Sequence, residues 1–379
     1  MNLCIVTSSF PSHPDDFVQA PFLLSFIEGL KNRGHRVFVF TQEREGIRKQ
    51  FLEGVQVNWF PWVGSRKPLV HLHPFKPWDA LRIVSLFRNG KKALLPFLEK
   101  NQVDACLALW VLPGGFFADH AYRRLGIPYS VWALGSDIYR YGKNPFLHRT
   151  MKRIIREATG MFADGFELSK EVEALFQRKC FFLATTRSLK TDGTDRTDRT
   201  DRTFSFLFVG RLERVKGIDI VLQSLALLNE AKRDVHLTIV GTGSMERWAR
   251  EFVDQKGLRD RVTFDGNIPD QRLASLYHSS DCVVIPSRSE SIPVVFSEGL
   301  RLDKELIVTD VGDMGMLGRQ YGAAWVVPPE DPVALMERMD ERVQYRGRGT
   351  RESLGEKRDE LNRLFDIETS VDRFLADYV

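Results

Sequence analysis

Residues 282–302 read CVVIPSRSESIPVVFSEGLRL, and the period of the sequence changes inside them. Cys282 to Pro286 is an apolar, β-rich run of the kind that forms a buried parallel strand. Ser287 to Ser291 is a short polar turn. A helical pattern opens behind it with Pro293 near its first position, where proline's missing amide has no intrahelical partner to lose. A strand, a turn and a helix N-terminus make an anion site in α/β folds, because free amides point outward and the helix dipole favours negative charge. Two carboxylates bracket the turn, Glu290 in the loop and Glu298 in the helix. At ~1.5 Å rise per residue plus the loop they stand on the order of 10 Å apart, a span suited to two ends of a nucleotide-sugar. Each glutamate alone also fits a helix-surface or dipole-partner role.

Working outward, Phe204–Val209 reads as a strand running into Gly210-Arg211-Leu212-Glu213-Arg214-Val215-Lys216-Gly217. Glycines here let backbone approach a ligand, while arginine offers a bidentate fork and lysine a point charge for a diphosphate. The competing reading is a basic turn held by surface salt bridges. Val235–Val240 is the next strand and ends in Gly241-Thr242-Gly243-Ser244, which lacks the third glycine of a dinucleotide fingerprint because Glu246 stands there. Val262–Phe264 leads to Gly266-Asn267-Ile268, and Leu306–Thr309 leads to Asp310-Val311-Gly312-Asp313.

Glu290, seven residues and Glu298 at a strand–helix junction, preceded by Gly210-Arg211 and Lys216-Gly217, resemble the donor-site signatures of the retaining GT-B glycosyltransferases of family 4. The resemblance covers 204–345 in order and spacing and is weaker ahead of it. It implies an α/β protein with the GT-B fold, two Rossmann-like domains facing across a cleft. Residues 1–190 would be the acceptor-binding domain, 204–350 the nucleotide-sugar domain, and 351–379 a C-terminal helix crossing back to the first. Gly241 and Gly243 would line the donor site and the backbone of Asn267 and Ile268 would meet the base. Arg211 and Lys216, with the amides around Ser291, Ile292 and Val294, are the candidates for holding the diphosphate. Glu290 would orient the sugar hydroxyls and support the charge building on the ring, and Glu298 would hold the ribose hydroxyls. The implied front-face mechanism uses donor phosphate to help deprotonate the acceptor and assigns no separate general base. Two departures stand out: Leu134 occupies a place where the family commonly has histidine, and Asp313 replaces the second glycine of its turn.

The first half opens as strand, helix, strand. Asn2–Thr7 is followed by helical spacing over Phe22 to Lys31, stopped by Gly34, and by a strand at His35–Phe40, the start of a doubly wound sheet. Further strands read at Val55–Phe60, Val103–Trp110, Tyr129–Leu134 and Gly160–Ala163. Gly135 and Asp137, at the end of one of these, are the acceptor-side candidates. Pro61 to Lys100 mixes Trp62, Phe75, Trp78, Phe87 and Phe97 with Lys67, Lys76, Arg82, Arg88, Lys91 and Lys92. Such a mixture suits an anionic membrane interface, and equally a helix pair with core aromatics and solvated lysines. Residues 191–203, TDGTDRTDRTDRT, hold no apolar side chain and read as a flexible linker.

A chain of 379 residues, 43% hydrophobic and 27% charged, suits two soluble globular domains. Its net charge of +4 hides an asymmetry. Residues 1–190 carry 27 Lys+Arg against 16 Asp+Glu, and the remainder 27 against 34. Nucleic acid is not an expected partner, since no binding motif accompanies the basic charge. Four separated cysteines suit buried free thiols in a reducing compartment. No signal peptide or spanning segment reads from the sequence, so the expected location is cytoplasmic, with a peripheral place on the inner face of the cell membrane. No Asp-x-Asp motif occurs, and no cofactor or metal is expected. The expected partners are a UDP- or GDP-sugar donor and a saccharide or lipid-linked acceptor in polysaccharide biosynthesis. A nucleotide-sugar epimerase would need a carboxylate and histidine set that does not stand out here. The alternative from another class is a non-catalytic nucleotide-sugar-binding subunit of a polysaccharide assembly complex, which would show affinity without product.

Overall fold

The computed structural model describes residues 1–12, 16, 19–45, 52–64, 69, 72–73, 75–189, 203–345 and 355–378. The chain forms two compact units, Met1–Ala184 with Ile367–Val379, and Thr185–Asp366. The repeat read as a linker lies outside the described residues from 191 to 202.

The first unit begins β1 (Asn2–Val6), α1 (Phe22–Asn32), β2 (Arg36–Gln42), β3 (Gln56–Phe60), α2 (Pro77–Lys100) and β4 (Ala105–Leu109). It continues with α3 (Phe116–Leu125), β5 (Tyr129–Ala133), α4 (Ser136–Tyr141), α5 (Pro145–Glu157), β6 (Met161–Ala163), α6 (Phe166–Phe176) and β7 (Phe181–Phe182). The second unit runs β8 (Phe204–Val209), α7 (Ile218–Glu230), β9 (Val235–Val240), α8 (Glu246–Gln255), β10 (Val262–Gly266), α9 (Asp270–Ser279) and β11 (Cys282–Ile285). Then come α10 (Val294–Arg301), β12 (Glu305–Thr309), α11 (Met314–Tyr321), β13 (Trp325–Val327), α12 (Pro332–Gln344) and α13 (Gly355–Leu364). The last helix, α14 (Ile367–Tyr378), returns to the first unit.

Among the described residues each unit has one parallel sheet, ordered β3-β2-β1-β4-β5-β6-β7 in the first and β10-β9-β8-β11-β12-β13 in the second. Helices cover both faces, so the strands read as continuous apolar runs: every residue of β4, β5 and β11 is buried. Strand lengths follow the available partners. β2 starts at Arg36, one residue after the sequence reading, because its register pairs Asn2 with Arg36. It extends to Gln42 because β3 pairs with it through Gln42 and Phe60.

On one face of the first sheet, Phe38, Phe40, Phe60, Phe97 and Phe117 form a continuous aromatic core under α2 and α3. A second set of rings joins α1 to α14: Phe26 lies 5.3 Å from Trp132 and 5.6 Å from Phe374. Arg33 closes that junction on Glu368 (2.5 Å) and Asp372 (2.6 Å). The aromatic segment before β4 divides by face. Trp62, Leu86 and Phe97 are core, whereas Phe75 (98% exposed), Trp78 (75%), Leu81 and Val84 form an outward apolar ridge. Among the described residues no helix is long and apolar enough to cross a membrane. The four cysteines are buried and free.

Candidate functional site

In the second sheet the chain moves outward from β8 through β9 to β10, then returns beside β8 as β11 and moves the other way. The switch between β8 and β11 is where an open parallel sheet leaves a crevice at its carboxyl edge. The turns picked out in the sequence stand at this edge. Gly210 ends β8 and its amide donates to Val240 O (3.0 Å). The Gly241 amide donates to Gly266 O (2.7 Å), and the Leu212 amide to Thr242 O (2.9 Å), which ties the Gly241–Gly243 turn to the loop after β8. Asn267 reaches the same turn through Thr242 Oγ1 (3.3 Å), with Ile268 half-buried beside it.

The loops on either side of the switch are bound to one another. Arg288 donates to both Asp219 carboxylate oxygens (2.7 and 2.8 Å), and its amide donates to Val215 O (2.8 Å). A Cβ on Gly217 (φ +73°) would stand 1.9 Å from Pro286 O, so the approach of the two loops needs glycine there. Across this contact Lys216 Nζ donates to Glu290 Oε1, which also accepts from Ser287 Oγ (3.3 Å). Glu290 Oε2 has no hydrogen-bond partner among the described residues. The neighbouring turn after β12 closes on the same loop: Asp313 N donates to Ser291 O (3.3 Å), and a Cβ on Gly312 would stand 2.1 Å from Glu290 O. Asp313, the departure noted in the sequence, is fully buried at the start of α11.

α10 opens without a side-chain cap, leaving the Ile292 and Val294 amides free of described acceptors. Ser291 Oγ is buried and without a partner. Arg211 is exposed and makes no ion pair with a described residue. Free amides, an unpaired guanidinium, a lysine and a carboxylate oxygen thus gather at one strand edge. Such a set can hold a diphosphate and a polyhydroxyl group together.

Glu298 sits elsewhere in the packing. Its side chain is 1% exposed; Oε1 accepts from Arg187 Nε and Oε2 from Tyr277 Oη (2.7 Å). Arg187 also donates to Asp270 (2.9 Å). Burial pulls the Arg187 pKa down, and the Glu298 and Asp270 charges more than offset that, leaving it above its ordinary value. Burial and the Glu298 charge raise the Tyr277 phenol well above its own. The sequence reading missed Arg187 and Tyr277. Arg187 lies 111 positions before Glu298 in a segment without a motif.

In the first unit, two strand-end turns meet. Asp137 at the start of α4 accepts from the amides of Val111 (2.6 Å) and Leu112 (3.3 Å) in the turn after β4. Ser136 Oγ accepts from Trp110 Nε1 (3.1 Å). Gly135 makes the positive-φ bend between β5 and α4. Asp137 is buried with Oδ1 unpaired, and burial pushes its pKa up to about 6 although the Leu112 and Val111 amides oppose the shift. Among the described residues no group of three or more His, Cys, Asp or Glu is placed to hold a metal ion.

A family model described as glycosyl transferases group 1 matches residues 194–360, and one described as a glycosyl transferase 4-like domain matches 19–176. The alpha-D-kanosaminyltransferase of Streptomyces kanamyceticus is 31% identical over 123 residues, 32% of this chain and 32% of that protein. A D-inositol 3-phosphate glycosyltransferase of Pseudarthrobacter chlorophenolicus is 34% identical over 137 residues, 35% of this chain and 33% of that protein. The matched stretches therefore span about a third of these relatives' own length. The fold is similar to sucrose-phosphate synthase from Thermosynechococcus elongatus, with TM-score 0.76 and 17% identity over 100% of this chain and 98% of the other. It is also similar to Anabaena HepE in complex with UDP-glucose, with TM-score 0.73 and 15% identity over 99% and 98%. Matched in both of its halves, and built on two parallel sheets as these structures are, the chain belongs to the family 4 glycosyltransferases of the GT-B fold.

Proposed function

We propose that this chain is a retaining glycosyltransferase that moves a sugar from a UDP- or GDP-sugar to a saccharide or lipid-linked acceptor in glycan biosynthesis. The observation that carries the reading is the Lys216–Glu290 pair at the switch point, beside the unpaired amides of Ile292 and Val294. Those amides, Lys216 and Arg211 receive the diphosphate, whose negative charge grows as it leaves. Glu290, held by Lys216, turns its unpartnered oxygen to the sugar hydroxyls and supports the positive charge at the anomeric carbon. The bond from that carbon to the diphosphate breaks, the acceptor oxygen attaches on the same face, and its proton passes to the departing phosphate oxygen. The ribose role proposed for Glu298 requires the donor to uncover a side chain that is 1% exposed and whose oxygens already accept from Arg187 and Tyr277. The protein's own cations and amides carry the leaving-group charge, so turnover is expected to persist in EDTA.

The acceptor falls to the first unit, with Gly135 and Asp137 at its strand ends. The outward ridge of Phe75, Trp78, Leu81 and Val84 continues along α2 into exposed Arg88 and Lys92. Apolar insertion beside positive charge complements an anionic bilayer and supports a lipid-linked acceptor. Donor turnover tests the whole reading. Purified protein is incubated with UDP- and GDP-sugars in turn, nucleoside diphosphate release is measured, and the anomeric configuration of any product is read by NMR. Release from one donor, lost in Glu290→Ala, is the expected result. Stabilisation by a donor without release points to the binding-subunit alternative, and an inverted product removes the retaining mechanism.

A further inference from the structure

A cavity of about 360 Å³ opens among helices of the first unit and is lined by none of the residues assigned above to donor or acceptor. α2 contributes Lys91, α3 contributes Asp119, His120, Arg123 and Arg124, and α5 contributes Arg153. Four permanent cations from three helices therefore surround one carboxylate. Lys91, Arg123 and Arg124 have no ion-pair partner among the described residues. Lys91 is held against the wall instead, its ammonium 4.7 Å from the centroid of the Phe116 ring. A concave wall lined with one sign of charge concentrates the field inside it and draws in anions.

The carboxylate narrows the choice. Asp119 is 2% exposed, and its Oδ2 accepts from Arg153 Nη2 (3.2 Å). Its Oδ1 and the Nε of Arg153 are both buried and without hydrogen-bond partners. Two residues that line the cavity thus each carry a buried polar atom without a partner, and a ligand with both a hydroxyl and an anionic oxygen, drawn in among the cations, would satisfy them. Burial, with the Lys91 and Arg124 charges, holds the His120 pKa below its ordinary value. An anion among these groups would draw a proton onto His120 and add a further cation.

We propose that this cavity binds a phosphate ester bearing a free hydroxyl, such as a polyol phosphate, either as a soluble metabolite or as the headgroup of an anionic lipid. The volume lies within the range of small-ligand sites. The site shares no residue with the transferase reading, so either can fail without the other.

Calorimetric titration of the full chain with glycerol 1-phosphate, methyl phosphate and phosphatidylglycerol vesicles tests it. The parallel variants are Arg123→Ala, Arg124→Ala and their double; both side chains are exposed, so unchanged melting temperatures identify folded protein. The expected result is saturable binding of the glycerol ester, tighter than that of methyl phosphate and weakened about tenfold or more in the double variant. Binding of free glycerol phosphate assigns a soluble ligand. Binding only when the same headgroup is presented on vesicles, with the same loss in the double variant, assigns the lipid. No saturable binding in any arm, or binding equal in wild type and variants, overturns the site.

Discussion

Glu298 is a carboxylate with almost no water around it, held by a guanidinium and a phenol from distant parts of the chain. Removing one member of such a buried pair strands the other, at a cost of about 3–5 kcal/mol. Glu298→Ala and Arg187→Ala should each lose that much in a denaturant titration. The double variant Arg187→Ala with Glu298→Ala should lose well under their sum; strict additivity would mean the two groups are not coupled. Asp137 predicts the opposite pH behaviour from a paired aspartate. Its carboxyl is held near 6 instead of 3.8, so the folded state binds the proton more tightly than the unfolded chain. Stability therefore falls as pH rises from about 4 to about 6, by about 3 kcal/mol. Asp137→Asn keeps an acceptor for the Val111 and Leu112 amides and should flatten that slope, gaining stability at pH 7.5 and little at pH 4. An unchanged slope would assign it to other groups. That Glu290 and Lys216 stand at one strand edge was legible in the sequence, because each belongs to a local strand–turn–helix pattern. Arg187 and Tyr277 were not, since their roles come only from tertiary packing.

Two left-handed glycines separate conformational strain from steric closure between elements. Gly217 and Gly257 have φ of +73° and +63°, but a Cβ on the first meets Pro286 O at 1.9 Å while a Cβ on the second meets nothing within 4 Å. Gly257→Ala should cost about 1 kcal/mol. Gly217→Ala must in addition push the β11–α10 loop away, and should cost about 3 kcal/mol or more and abolish any donor-induced rise in melting temperature. Equal effects in thermal unfolding would mean that the loop gives way freely. The strands and their order along the chain were legible because parallel strands buried on both faces are uninterrupted apolar runs. Their ends were less so, because register with a neighbour fixes them. The segment before β4 left core and interface readings level in the sequence, and helical phase divides it. Trp78 and Phe87 are nine positions apart, which at about 100° per residue puts them on opposite sides of α2. One is exposed, and the other packs 4.8 Å from Phe116.

Across the whole molecule, each unit has its own core, and the first is assembled from both ends of the described chain. Phe374 of α14 is 1% exposed against Phe26 and Phe162, so Phe374→Ala should destabilise the first unit by about 3–5 kcal/mol. Near-ultraviolet dichroism should register it through Trp132, whose ring packs on Phe26. An unchanged midpoint would mean α14 is only peripherally attached. Part of the first half's excess of cations has a location, since α2, α3 and α5 of the first unit gather Lys91, Arg123, Arg124 and Arg153 around one cavity. The return of α14 also sets an order of events during synthesis. A ribosome delivers all seven strands of the first sheet early, yet the side of Phe26 that Phe374 covers stays bare until Thr185–Asp366 has been translated. The unit that is made first is finished last, and nascent chains stalled within the second unit should be the ones that chaperones hold.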